Sequence, residues 1–174
     1  MRKYIFKPYS KSFPQLFLKE KQRIFSHLKE DLQIEHVGSS AVPGLAGKGI
    51  IDIAIATEKK DQIVNKLQEL GYDFRLEYST ESRFFFKIQR PDLEEGKRTY
   101  HIHVMSSKSK EWLDVLFFRD YLKDHPQDAK RYADLKERAS LEAHEHGEKY
   151  RKLKDPFIQE ILQKRSFFFN DKST

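Results

Sequence analysis

Asp52 is the lone acidic residue in an apolar run from Gly49 to Ala56. A buried strand normally reads as unbroken Val, Ile and Leu. An ionised carboxylate in its middle costs several kcal/mol unless a metal, a cation or an open cleft compensates it. Fourteen residues upstream, Gly38-Ser39-Ser40 ends a short branched run, Ile34 to Val37. A glycine–serine turn that opens a helix presents backbone N–H groups and hydroxyls, which cradle phosphate oxygens. A carboxylate near the same end of the next strand is then placed to hold Mg²⁺ against that phosphate. His101 and His103 lie two apart on a further strand and so share one face. They fit metal ligands, phosphate donors or a general acid–base pair. A zinc site would need a third ligand, from Asp52 or His36. The structural alternative is two partly buried, hydrogen-bonded histidines.

Four further groups have chemistry to offer. Lys48 precedes the Asp52 strand and suits a phosphate or Asp52 itself; otherwise it is a loop lysine in water. Its surroundings imitate a P-loop but fail that motif, because Val42 stands where the first glycine belongs and Gly49 where Ser or Thr belongs. Arg119, in an apolar stretch, suits either a phosphate or pairing with an acid, and the pairing is the simpler reading. Tyr150 and Lys154 are four apart and share a face if one helix carries both. His144 and His146 flank Glu145 and read as surface.

Positioning these groups requires a mixed α/β layer. Phe17, Ile24, Phe25, Leu28 and Leu32 recur at helical spacing and predict a helix over residues 14–31, with Pro14 at the start and Ser12 as cap candidate. Asp61 to Leu70 predicts a second helix stopped by Gly71. Strands are expected at Tyr72 to Tyr78, Phe84 to Gln89 and Thr99 to Met105, with a turn at Pro91 to Lys97. In the last strand Tyr100, Ile102 and Val104 take one face, and Thr99, His101 and His103 the other. From Ser109 the pattern turns helical: one helix ends before Pro126, another carries Ala129 to Ala139, and a third carries Phe157 to Leu162. The break falls at His144 to Gly147, and Pro156 is expected near the first turn of the third helix or at a kink. The tail SFFFNDKST is expected to pack on the body or on a second copy, as in a homodimer.

The chain has 174 residues, suited to one domain, and a net charge of +6. The basic residues are scattered among acids, so RNA is only weakly indicated as a partner; nucleotides or other phosphate compounds are the simpler expectation. The absence of cysteine excludes disulfides and thiolate metal sites and suits the cytoplasm. No apolar run approaches a membrane span.

The stretch EHVGSSAVPGLAGKGIIDIAI resembles the signature of the GrpB-like family, roughly H-V-G-S-T-x-V-P-G-L-x-x-K-P-I-I-D. The similarity continues through Tyr100 to Val104, Phe118 to Leu122, His125-Pro126, Tyr132 to Lys136, Tyr150, Lys154 and Phe157-Ile158, nearly the whole chain. It implies a nucleotidyltransferase-type α/β (α+β) fold: a mixed twisted sheet with flanking helices and a C-terminal helical extension. Residues 1–174 would form one domain, with an α/β core over 1–108 and the extension over 109–166. The resemblance further implies that Gly38, Ser39 and Ser40 face phosphate and that Asp52 is the first metal-holding carboxylate. Such enzymes carry a second acid two residues later and often a third on a later strand. This chain has Ala54 at the second position and His101 and His103 near the third. Glu35 and His103 are then expected to assist Asp52 with Mg²⁺. Asp52, His101 and His103 are the catalytic expectation, and Lys48, Arg119 and Lys154 complete the ligand contacts. The alternatives are a binding module without turnover and a basic RNA-contacting module.

Overall fold

The computed structural model describes residues 6–29, 32–144 and 146–170, with side chains as far as Arg165. Its centre is a sheet of β1 (Gln33–Val37), β2 (Ile51–Ala56), β3 (Asp73–Phe74), β4 (Arg83–Asp92) and β5 (Gly96–Met105), in the order β1-β2-β5-β4-β3. Among the described residues only the β2–β5 pair is parallel. Residues opposite one another share a face, so the ladder reads across as rows. One row is Val37, Asp52, His101 and Lys87; the next is Glu35, Ala54, His103 and Phe85. Odd and even positions therefore divide between two chemically distinct faces.

One face is the main core. Ile34, Ile51, Ile53, Ile55, Tyr100, Ile102 and Val104 pack beneath α1 (Phe13–Leu28) and α2 (Lys60–Glu69). The expected alternation of β5 holds: Tyr100, Ile102 and Val104 are buried here, while His101 and His103 stand half-buried on the reverse side. On that reverse side α3 (Lys110–Asp124) lays Trp112 over Val37, Ala54, Ala56 and Met105. α4 (Pro126–Glu142) and α5 (Gly147–Asn170) complete a third cluster, in which Val42 and Leu45 of the β1–β2 connector pack with Tyr121, Leu122, Tyr132, Phe157 and Ile161. The connector that bears the serine turn is thus fastened to the C-terminal helices.

Several boundaries differ from expectation for local reasons. α1 closes at Leu28 because Lys29 turns left-handed and its N–H bonds Phe25 O at 3.0 Å. Phe25 lies off the apolar stripe of Phe17, Ile24 and Leu28 and is 52% exposed. β2 begins at Ile51, since Gly49 has a positive φ and its carbonyl is claimed by Arg98. Of the expected Tyr72–Tyr78 strand only Asp73–Phe74 pairs; Leu76–Tyr78 is a 3-10 turn. Ser79 explains the loss, because its Oγ donates to Arg75 O and accepts from Phe85 N, occupying the backbone groups a ladder would use. β4 runs on to Asp92 through Pro91, beyond the reach of β3, which pairs only Phe86 and Lys87. α2 stops at Gly71, φ +85°, as expected. α3 ends ahead of Pro126, which opens α4 as its first residue. The chain breaks at His144, in the left-handed region, but α5 starts at Gly147, so Pro156 lies in the helix interior and not in its first turn. The packing of the tail side chains falls outside the described residues. Among the described residues no helix is long and apolar enough to cross a membrane.

Candidate functional site

Asp52 emerges on the reverse face of the sheet, between Val37 and His101. Its Oδ1 lies 3.2 Å from His101 Nδ1 and 3.6 Å from His103 Nε2, so both imidazoles converge on one carboxylate oxygen. Burial alone would raise the carboxyl, but the two histidines outweigh it and hold Asp52 below the usual carboxylate range. Burial also depresses His103, against the opposing pull of Asp52. Its Nδ1 is buried with no hydrogen-bond partner among the described residues. Phe85 walls the pair, with its ring centroid 4.9 Å from His101 and 5.2 Å from His103.

The turn approaches Asp52 very closely. A Cβ on Gly38 would sit 2.6 Å from Asp52 Oδ2, and φ is +70° there. Glycine meets both demands: the left-handed backbone and the space. Ser39 and Ser40 then diverge. Ser39 Oγ accepts a 2.8 Å hydrogen bond from Lys136 Nζ. Ser40 turns to His36 Nε2 at 2.9 Å, on the α1 side, where His36 stacks on Phe17. Burial drives His36 down to about 4, helped by the charges of Lys123 and Arg119 and opposed by Asp52. The expected phosphate role of Ser40 therefore has its hydroxyl committed elsewhere.

One lysine contacts the turn, and two more stand on a neighbouring ring. Lys136, from α4, is 2% exposed and donates to Ser39 Oγ and, at 2.6 Å, to Ala46 O. Lys48, from the connector, and Lys154, from α5, lie 3.5 and 4.2 Å from the centroid of one ring, that of Tyr150. Burial and the Lys154 charge lower Lys48 and Lys136 to about 7 each, while Asp52 pulls both upward. Burial lowers Lys154 as well, with Asp52 again opposing. All three are electrostatically coupled to the same carboxylate.

Glu35 and Arg119 meet each other and not the Asp52 oxygens. Glu35 shares the sheet face of Asp52, opposite Ala54, but its Oε2 is 2.6 Å from Arg119 Nη1. Arg119 also donates to His36 O at 3.1 Å and pairs with Asp120. This is the structural pairing that the sequence favoured for Arg119, and it occupies the carboxylate expected to assist with metal. A surface cavity of about 360 Å³ lined by Phe17, Lys21, Glu35, His36 and Arg119 lies at the β1 edge, and Asp52 does not line it. The structure thus gathers Gly38, Ser39, Lys48, Asp52, His101, His103 and Lys154, and leaves Glu35, Ser40 and Arg119 outside.

Lys136 went unassigned from sequence. Its signal is a lysine four residues after Tyr132 and three before Ala139, on the buried stripe of α4, where an apolar residue belongs. A charge at such a position is costly unless it has partners and a purpose.

The donor set does not fit a resident two-metal magnesium centre. Two such ions need several carboxylate oxygens. Ala54 removes the second acid, Glu35 is held by Arg119, and both imidazoles point their nitrogens at Asp52 itself. Among the described residues no group of three or more His, Cys, Asp or Glu side chains stands in a metal-holding arrangement. The geometry instead offers a carboxylate–imidazole end and an ammonium–hydroxyl end, joined by the Gly38–Ser39 turn. The second end suits phosphate oxygens.

Comparison with known proteins agrees with this architecture. The chain is 38% identical over 159 residues to a UPF0157 protein of Pseudomonas aeruginosa, an alignment covering 89% of the chain and 64% of that relative, so the chain spans under two thirds of its length. It is 29% identical over 159 residues to the glutamate-rich protein GrpB of Alkalihalophilus pseudofirmus, covering 88% of the chain and 91% of that relative. The crystal structure of the conserved protein GrpB from Enterococcus faecalis superposes with a TM-score of 0.79 at 28% identity, over 94% of this chain and 99% of that one. A chain of the GLD-2/RNP-8 complex superposes at 0.54 with 13% identity, over 79% of this chain and 58% of that one, and the Cid1 poly(U) polymerase at 0.51 with 16% identity, over 76% and 45%. Those two share the fold, which is of nucleotidyltransferase type. With the GrpB protein family profile matching residues 4–164, the chain belongs to the GrpB family.

Proposed function

We propose that the chain is a nucleotidyltransferase-like protein that binds a nucleotide, or another small molecule carrying phosphate, in the cleft bounded by the Gly38–Ser39 turn, β2, β5, α4 and α5. One observation carries this reading: Lys136 donates to Ser39 Oγ, Lys48 and Lys154 share the Tyr150 ring, and all three, from separate elements, feel the charge of Asp52. Ammonium groups and a hydroxyl satisfy phosphate oxygens through charge-assisted hydrogen bonds. The aromatic wall of Phe85 beside the histidines supplies an apolar surface for the remainder of the ligand.

The test is a thermal-shift series with the four ribonucleoside triphosphates, with and without Mg²⁺. A ligand at one hundred times its Kd stabilises the folded state by about 2.7 kcal/mol, a shift of several degrees. Lys136→Met should remove the shift. No shift with any nucleotide under either condition would refute the reading.

Turnover is a second reading, supported by a depressed His103 whose Nδ1 has no hydrogen-bond partner among the described residues and whose Nε2 faces Asp52. An acceptor hydroxyl would lose its proton to that imidazole, its oxygen would bond to the α-phosphorus, and pyrophosphate would leave. Pyrophosphate release is the measurement. Binding without release would make the protein a binding module.

A further inference from the structure

We infer that the cleft takes the terminal phosphates of its ligand as a free polyphosphate anion, gripped by Lys48, Lys136 and Lys154 beside Ser39 with no divalent cation between. The inference rests on the phosphate-ligand reading above and adds what neutralises the phosphates.

Lys136 is the anchor. It is 2% exposed, yet both its hydrogen-bond acceptors, Ser39 Oγ and Ala46 O, are neutral. An ammonium group has three donors, so one remains without an acceptor among the described residues. Neither Lys136 nor Lys154 forms an ion pair there. Lys48 and Lys154 rest on the same Tyr150 ring, which holds their charges near one another. The carboxylate facing the group, Asp52, already answers two imidazoles.

A buried ammonium whose own acceptors are neutral, with two half-buried ammonium groups beside it, calls for an anion of high charge. A chelated phosphate tail brings its own metal ion. It presents less negative charge and sets a dication among three ammonium groups, where like charges repel strongly. A bare polyphosphate meets the surplus directly. With Ala54 where a second acid would stand and Lys136 buried beside Ser39, chain cations take the place of a metal ion.

Isothermal titration with inorganic tripolyphosphate in EDTA tests this. Binding is expected without metal. Lys154→Gln, on a half-exposed residue whose loss should leave the fold intact by circular dichroism, should weaken it about tenfold or more. Lys136→Met should weaken it further, and Asp52→Asn should leave it unchanged or tighter, since a negative charge departs. Tripolyphosphate binding that appears only with Mg²⁺ and vanishes in Asp52→Asn would overturn the inference while leaving the phosphate-ligand reading in place. Failure of both tripolyphosphate and nucleoside triphosphates to bind with or without Mg²⁺ would remove both.

Discussion

At the scale of single residues, Gly38 is the most constrained position at the site. Its φ of +70° and the 2.6 Å approach to Asp52 Oδ2 are separate objections to any side chain. Gly38→Ala should therefore cost about 1–3 kcal/mol and displace the carboxylate; urea denaturation gives the first quantity and nucleotide affinity the second. A stability within about 0.5 kcal/mol of the parent would show that the turn adapts. Asp52, His101 and His103 were legible from sequence because period-two alternation on β5 and an acid in an apolar strand are local patterns. Lys136 was not, since its meaning lies in Ser39, 97 positions away. Periodicity marks it only as a lysine where leucine would serve. The Glu35–Arg119 pair spans 84 positions and depends on how α3 docks.

At the scale of elements, the site depends on how helices begin and end. Ser109 Oγ accepts from Trp112 N at 3.2 Å and caps α3, the helix that lays Trp112 on the reverse face of the sheet. Ser109→Ala should cost about 1 kcal/mol, read as a lower denaturation midpoint at unchanged m-value. The helices were readable because Pro126, Gly71 and the apolar spacing are strong punctuation. Tyr72 to Tyr78 was misread because its alternation is genuine, while the deciding contact is a side chain, Ser79, that satisfies the backbone in place of a neighbouring strand. Of the two placements expected for Pro156, the first turn fails because α5 extends nine residues upstream of it, over a charged stretch with little apolar pattern.

At the scale of the whole molecule, the cleft joins a sheet, a connector and two late helices, and its charge state follows from that enclosure. Lys48 and Lys136 fall to about 7, chiefly by burial, against about 10.4 in an unfolded chain. Between those values the unfolded state binds more protons than the folded one. The ligand-free protein should thus gain stability as pH rises from 7 to 10, and the gain should level off above 10. Denaturation midpoints across that range check the sign, and Lys136→Met should reduce the slope. Phosphate binding near pH 7.5 should take up protons as the lysines recharge, seen as titration enthalpies that depend on the buffer's ionisation heat.

The attachment of Val42 and Leu45 to Tyr132, Phe157 and Ile161 carries a consequence for biosynthesis. A nascent polypeptide that has emerged only through β5 already possesses the acid and both imidazoles. It has the Lys7–Gly47 bridge and the Arg98 bond to Gly49 O, but it lacks Lys136, Lys154 and the helical surface on which Val42 and Leu45 rest. Domains fold as the chain leaves the ribosome, so the proposed anion site is complete only once α5 has emerged. Occupancy by ligand would then discriminate completed copies from prematurely terminated ones.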